Sequence, residues 1–128
     1  MASAEYRIPW VTITLQSTDK EVVQLQDEWM DTEGFTSGSL MVQCPVLSTD
    51  LTCYFETAQK VEGPWRTIWE LTNANCPSEN DEYAETMYLT SAPDASDSNR
   101  FDRYIRWRVV SNDYNTYFCF RAAAFFRS

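Results

Sequence analysis

Apolar and polar residues alternate with a period of two through much of this chain. In Leu51-Thr52-Cys53-Tyr54-Phe55-Glu56, the residues Leu51, Cys53 and Phe55 fall on one side. In Tyr104-Ile105-Arg106-Trp107-Arg108-Val109, Ile105, Trp107 and Val109 fall on one side and two arginines on the other. Side chains that flip at every residue are the mark of an extended strand with one buried face. Similar runs occur at Val11–Leu15, Glu21–Glu28, Ser39–Cys44, Arg66–Thr72, Tyr83–Thr90 and Thr116–Phe126. Roughly eight strands at this spacing predict an all-β fold, a single antiparallel β-sandwich. Glu21–Met30 comes nearest to a helix, because Val22, Leu25 and Trp29 can share a helical face; the strand reading is preferred there. Polar breaks separate the runs. Gly34–Gly38 supplies backbone freedom, Glu62-Gly63-Pro64 reads as a hairpin tip, and Asn73–Asp81, Ala92–Asn99 and Ser111–Asn115 read as loops.

The length of 128 residues suits one domain with a core of its own. Residues 11–128 are read as the sandwich and residues 1–10 as an N-terminal arm, in which Tyr6, Ile8 and Trp10 alternate and Pro9 discourages regular pairing. Ten basic and nineteen acidic side chains give a net charge of −9, which disfavours general binding to nucleic acid or anionic membranes. The charge is uneven. Residues 1–99 hold 17 acids and 4 bases, and residues 100–128 hold 2 acids and 6 bases. Pairing of Arg106 and Arg108 with acids on neighbouring strands is the simpler consequence; head-to-tail contact between copies is the other.

Histidine is absent, which excludes imidazole-based nucleophile activation and histidine-ligated zinc within this chain. Cys44, Cys53, Cys76 and Cys119 form no CxxC pair. Cys44, Cys53 and Cys119 lie in apolar runs and read as buried thiols, with a Cys44–Cys53 bridge as the competitor. No basic start with an apolar run opens the chain, so it is expected to be made in a cytoplasm, with neither a secretory signal nor a membrane span. The acidic run Glu79, Asp81, Glu82 and Glu85 lacks the spacing of a calcium loop and reads as a solvated edge, and Asp94 and Asp97 are equally unspecific. No metal or cofactor is expected, and no catalytic residue stands out. Among the aromatics, Trp107 reads as core, whereas Trp65 and Trp69 are candidates for a sugar-stacking platform. Tyr114 and the adjacent Phe125 and Phe126 are interface candidates, since neighbouring residues on a strand point to opposite faces.

Three segments carry a resemblance: Tyr54–Gln59, Glu62–Ile68 and Arg103–Val109. Together they resemble the small β-sandwich, jelly-roll-like accessory and decoration proteins of tailed-phage virions, over roughly residues 51–127. The resemblance implies a virion protein without enzymatic activity, working as a homo-oligomer with a trimer favoured, seated on a major capsid or other virion protein. It adds Arg103, Arg106, Arg108 and Arg121 to the interface candidates, beside Tyr6, Ile8 and Trp10 of the arm. Carbohydrate-binding sandwiches share the same turn and strand grammar, so a sugar-binding module using Trp65 and Trp69 is the alternative.

Overall fold

Alternation along the chain is realised as strands wherever side chains divide between a core and solvent. The computed structural model describes residues 2–15, 21–47, 50–72, 85–93, 95–96, 99–111 and 116–128. They form nine strands: β1 (Ser3–Leu15), β2 (Glu21–Val23), β3 (Met30–Asp31), β4 (Ser37–Leu47), β5 (Leu51–Ala58), β6 (Arg66–Leu71), β7 (Glu85–Thr90), β8 (Tyr104–Ser111) and β9 (Thr116–Arg127). One short 3-10 turn, Gln26–Glu28, lies between β2 and β3. Two sheets result, one in the order β1-β9-β4-β7 and the other β2-β8-β5-β6, with β3 also paired to β8. All these pairings are antiparallel. This interleaved order is the double-sheet jelly-roll architecture. No helix among the described residues is long and apolar enough to cross a membrane.

The core lies between the sheets. Leu51, Cys53 and Phe55 of β5 and Ile105, Trp107 and Val109 of β8 point into it, as the alternation predicts. From the opposite sheet come Phe118, Phe120, Ala122, Ala124 and Phe126 of β9 with Leu40, Val42 and Cys44 of β4. Phe120 joins the layers: its ring meets Trp107 at 5.6 Å and Phe55 at 6.4 Å, both edge-on, and stacks on Phe118 at 4.6 Å. A second aromatic nest forms around Phe126, which meets Phe101 at 5.3 Å, Tyr6 at 6.0 Å and Phe35 at 6.1 Å. Cys44 and Cys53 are buried thiols, each in a different sheet, so the hairpin bridge does not form; Cys119 is partly exposed.

Three expectations change. Residues 3–10 are no separate arm: they belong to β1, and Ser3–Ile8 pair with Ala122–Arg127 of β9. Pro9 does not stop the strand because it lies in a one-residue bulge between Ile8 and Val11, where no ladder hydrogen bond is required of it. The bulge also switches the inward set from Ile8 to Ile13 and Leu15. The run Glu21–Glu28 is a strand only to Val23. There the buried Gln24 takes over: its backbone N–H donates to the Trp107 carbonyl at 3.1 Å, and its side-chain oxygen accepts from Trp107 N–H at 3.2 Å. Its amide nitrogen donates to the Glu28 carbonyl at 3.0 Å, closing the 3-10 turn. Gly38, finally, is no turn residue but part of β4, whereas Gly34 does use the left-handed region, with φ of 89°.

Candidate interaction surfaces

The outer face of the second sheet is an ordered lattice of arginines and aromatic rings. Alternation sends Glu56 of β5 and Arg106 and Arg108 of β8 outward, and the β5–β8 register sets Glu56 opposite Arg106. Glu56 is nevertheless only 4% exposed. Its carboxylate accepts from Arg106 Nε at 3.2 Å and from Arg108 Nε at 3.0 Å, while Arg108 also reaches Glu21 at 3.6 Å. Each guanidinium lies over a ring: Arg106 over Trp65 at 3.7 Å and Arg108 over Tyr54 at 4.6 Å. Trp29 meets Trp65 edge-on at 4.9 Å and is pinned by its indole N–H, which donates to the Gln24 carbonyl at 2.8 Å. A carboxylate shared by two stacked guanidiniums is satisfied in place, so these groups organise the face rather than offer reactive charge.

Trp65 and Trp69 therefore make no common open platform. Arg106 covers one face of Trp65, and Trp69 packs toward the core against Phe55 at 6.1 Å. A bulge in β6 explains the latter: Phe55 pairs with Trp69 and Glu56 with Thr67, so that Ile68 and Trp69 both turn toward the interior.

At one corner, Arg103 binds Asp31 through two hydrogen bonds of 3.2 Å and Glu33 at 3.1 Å. Its guanidinium holds the Asp31 carboxyl below the usual carboxylate range; the Glu33 backbone N–H adds to this, and burial opposes it. Tyr6 crosses from β1 to donate its hydroxyl to the Asp31 carbonyl. Burial raises that hydroxyl above its ordinary value, and the Asp31 charge raises it further.

The outer face of the first sheet differs in kind. Of the five large apolar side chains exposed among the described residues, four lie here: Trp10 (47%), Tyr88 (74%), Tyr117 (52%) and Phe125 (42%). Arg121 lies 4.8 Å over the Trp10 ring and donates to Gln43 Oε1 at 2.6 Å. Ser39 of β4 pairs with Tyr88 on one side and Phe125 on the other. The small residues Ser37, Gly38 and Ser39 thus lie in a shallow trough of about 590 Å³ that Tyr88, Phe125, Glu5 and Arg127 also line. It can hold an apolar or ring-shaped group.

The interface candidates separate accordingly. Trp10, Arg121 and Phe125 share the outer face of the first sheet. Arg106 and Arg108 share the opposite face of the molecule, and Arg103 sits at its corner. Ile8 and Phe126 are buried and present no surface, because their strand parity turns them inward; Tyr6 is half-buried. Tyr114, Asp94 and Asp97, and Glu79, Asp81 and Glu82 of the acidic run, lie outside the described residues, and Glu85 begins β7. Sequence reasoning passed over Tyr88 and Tyr117, although both alternate with inward residues, and over Glu56, whose burial depends on partners distant in sequence.

No protein-family model and no curated protein matches the chain. Solved structures of infectious bursal disease virus are similar to it. The Gx strain structure matches over 99% of this chain and 33% of that chain, at 13% identity and a TM-score of 0.42. The crystal structure of the VP2 subviral particle matches over 98% and 32%, at 14% identity and a TM-score of 0.38. This chain spans about a third of the length of those chains.

Proposed function

We propose that the chain is a non-enzymatic structural protein of a virion, a capsid decoration or other head or tail accessory protein that acts through protein contacts in an oligomer. The observation that carries this reading is the concentration of Trp10, Tyr88, Tyr117 and Phe125 on the outer face of one sheet. Aromatic side chains gathered on one surface are the usual anchors of protein interfaces. The resemblance of residues 51–127 to tailed-phage accessory proteins supports the virion setting, and the jelly-roll order of the strands agrees with that resemblance. Fold alone would not support it, since jelly rolls also serve as lectins.

The test is direct. Virions purified from a phage carrying the gene contain the chain in stoichiometric amount, and virions assembled without it lose resistance to heat. Its absence from purified particles overturns the proposal. The trough beside Ser39 favours one second reading, a carbohydrate-binding module, in which Tyr88 and Phe125 flank the ligand rather than Trp65 and Trp69. Glycan-array binding that disappears in Tyr88→Ala would carry that reading instead.

A further inference from the structure

β1 is the end strand of its sheet, 13 residues long, and among the described residues no strand pairs with its outer side. Such an edge carries a row of backbone donors and acceptors ready for another strand. Proline and bulges ordinarily blunt edges, and here both occur beyond Ile8. Ser3–Ile8 remains regular, and its two outward charged residues, Glu5 and Arg7, are of opposite sign, exposed by 40% and 76%, and in the single chain paired with each other, a pairing that a second copy would exchange for two across the edge.

We infer that this edge pairs with the same edge of a second copy of the chain, antiparallel about a two-fold axis at Tyr6, so that Glu5 of each copy faces Arg7 of the other. The register follows from side-chain direction. Facing residues in an antiparallel pair point to the same side of the sheet, and sides alternate along Ser3–Ile8, so the axis passes through a residue. Centred on Glu5, the pairing sets two carboxylates against each other; centred on Arg7, two guanidiniums. Centred on Ala4, Glu5 faces Ser3, and centred on Ile8, Arg7 faces Pro9 in the bulge, so neither register sets Glu5 against Arg7. Only the Tyr6 centre makes two opposite-charge pairs, and it leaves both Tyr6 rings inward, bonded to their own Asp31 carbonyls. The two first sheets then join into one continuous sheet across the axis. A two-fold contact joins copies in even numbers, unlike the three-fold oligomer that the resemblance implies.

This inference deepens the proposed contact role by naming one contact, and its test separates the two. Light scattering on the full chain gives an even multiple of the 14.9 kDa monomer mass. Glu5→Arg and Arg7→Glu each place like charges together and raise the dissociation constant at least about tenfold, while the double variant restores the assembly. Circular dichroism stays unchanged in all three, because both side chains are exposed. When Glu5→Cys and Arg7→Cys chains are mixed and oxidised, disulfides join unlike chains in preference to like ones. A monomeric wild type, single variants that keep their mass, or a double variant that does not recover overturns the pairing. An assembly indifferent to these charges leaves the contact role standing on another surface; a chain absent from virions but paired through β1 overturns the role and keeps the edge.

Discussion

Gly38 and Phe126 face each other on β4 and β9, and the glycine is what lets the ring fit. A methyl group at position 38 would overlap the Phe126 ring and approach the Phe125 carbonyl oxygen to 2.7 Å, with backbone on one side and a buried ring on the other. Gly38→Ala is expected to lower stability by about 1–3 kcal/mol, read as an earlier urea midpoint at unchanged slope. Asp31 gives a prediction of another kind. Its carboxyl titrates below its ordinary value when folded, so its contribution is present above the unfolded value of about 3.9 and disappears as pH falls through the folded value. Urea unfolding of Asp31→Asn and wild type should therefore differ at neutral pH and converge in acid. A difference that persists at the acid end would show that Asp31 acts by something other than its charge.

At the scale of the strand, β8 tests the assignment of faces. Trp107 is 6% exposed and meets Phe120 edge-on, so Trp107→Ala should cost about 3–5 kcal/mol in denaturant unfolding. A loss below about 1 kcal/mol would mean that the strand face is wrong. β5 and β8 were readable from alternation because buried and half-buried positions alternate along Leu51–Phe55 and Tyr104–Ser111. The same rule separated Phe125 from Phe126 without saying which leaves the core; the unbroken alternation of β9, with Phe118 and Phe120 inward, decides that. Where sequence reasoning failed, a non-local partner was responsible. Pro9 looked like a stop because its bulge exists only against β9. Gln24 looked like mid-strand because its bonds to Trp107 span 83 positions of the chain. Trp65 looked open because Arg106, which covers it, arrives from β8. Of the exposed rings on the first sheet, Trp10 and Phe125 stand among the sequence candidates, whereas the trough beside Ser39 needs four strands in register before it exists.

At the scale of the molecule, one core spans both sheets, with Phe120 reaching Phe55 and Trp107 across the layers. Neither sheet keeps a buried face without the other. Tryptophan fluorescence and far-UV circular dichroism should accordingly report one coincident unfolding transition; two separated transitions would show that the sheets unfold independently. Part of the uneven charge along the chain is paired within the fold, as the basic strand β8 lies beside β5 and β2 and its arginines take up Glu56 and Glu21. What reaches the outside is therefore an asymmetry of texture: a lattice of stacked guanidiniums on one broad face, and on the other exposed rings, of which Trp10 lies under Arg121.

The two interruptions flanking β9 bear on how that second face is met. The bulge in β1 falls opposite Phe120–Ala122 and the one in β4 opposite Cys119–Arg121, so both neighbours of β9 take in an extra residue at the same level. Bulges bend and twist a strand, and two at one height crease the sheet. Tyr88 and Phe125 stand on one panel and Tyr117 on the other, with the Arg121–Trp10 stack on the fold line. A planar neighbour could rest on a single panel; whatever covers the whole face must itself be angled to match.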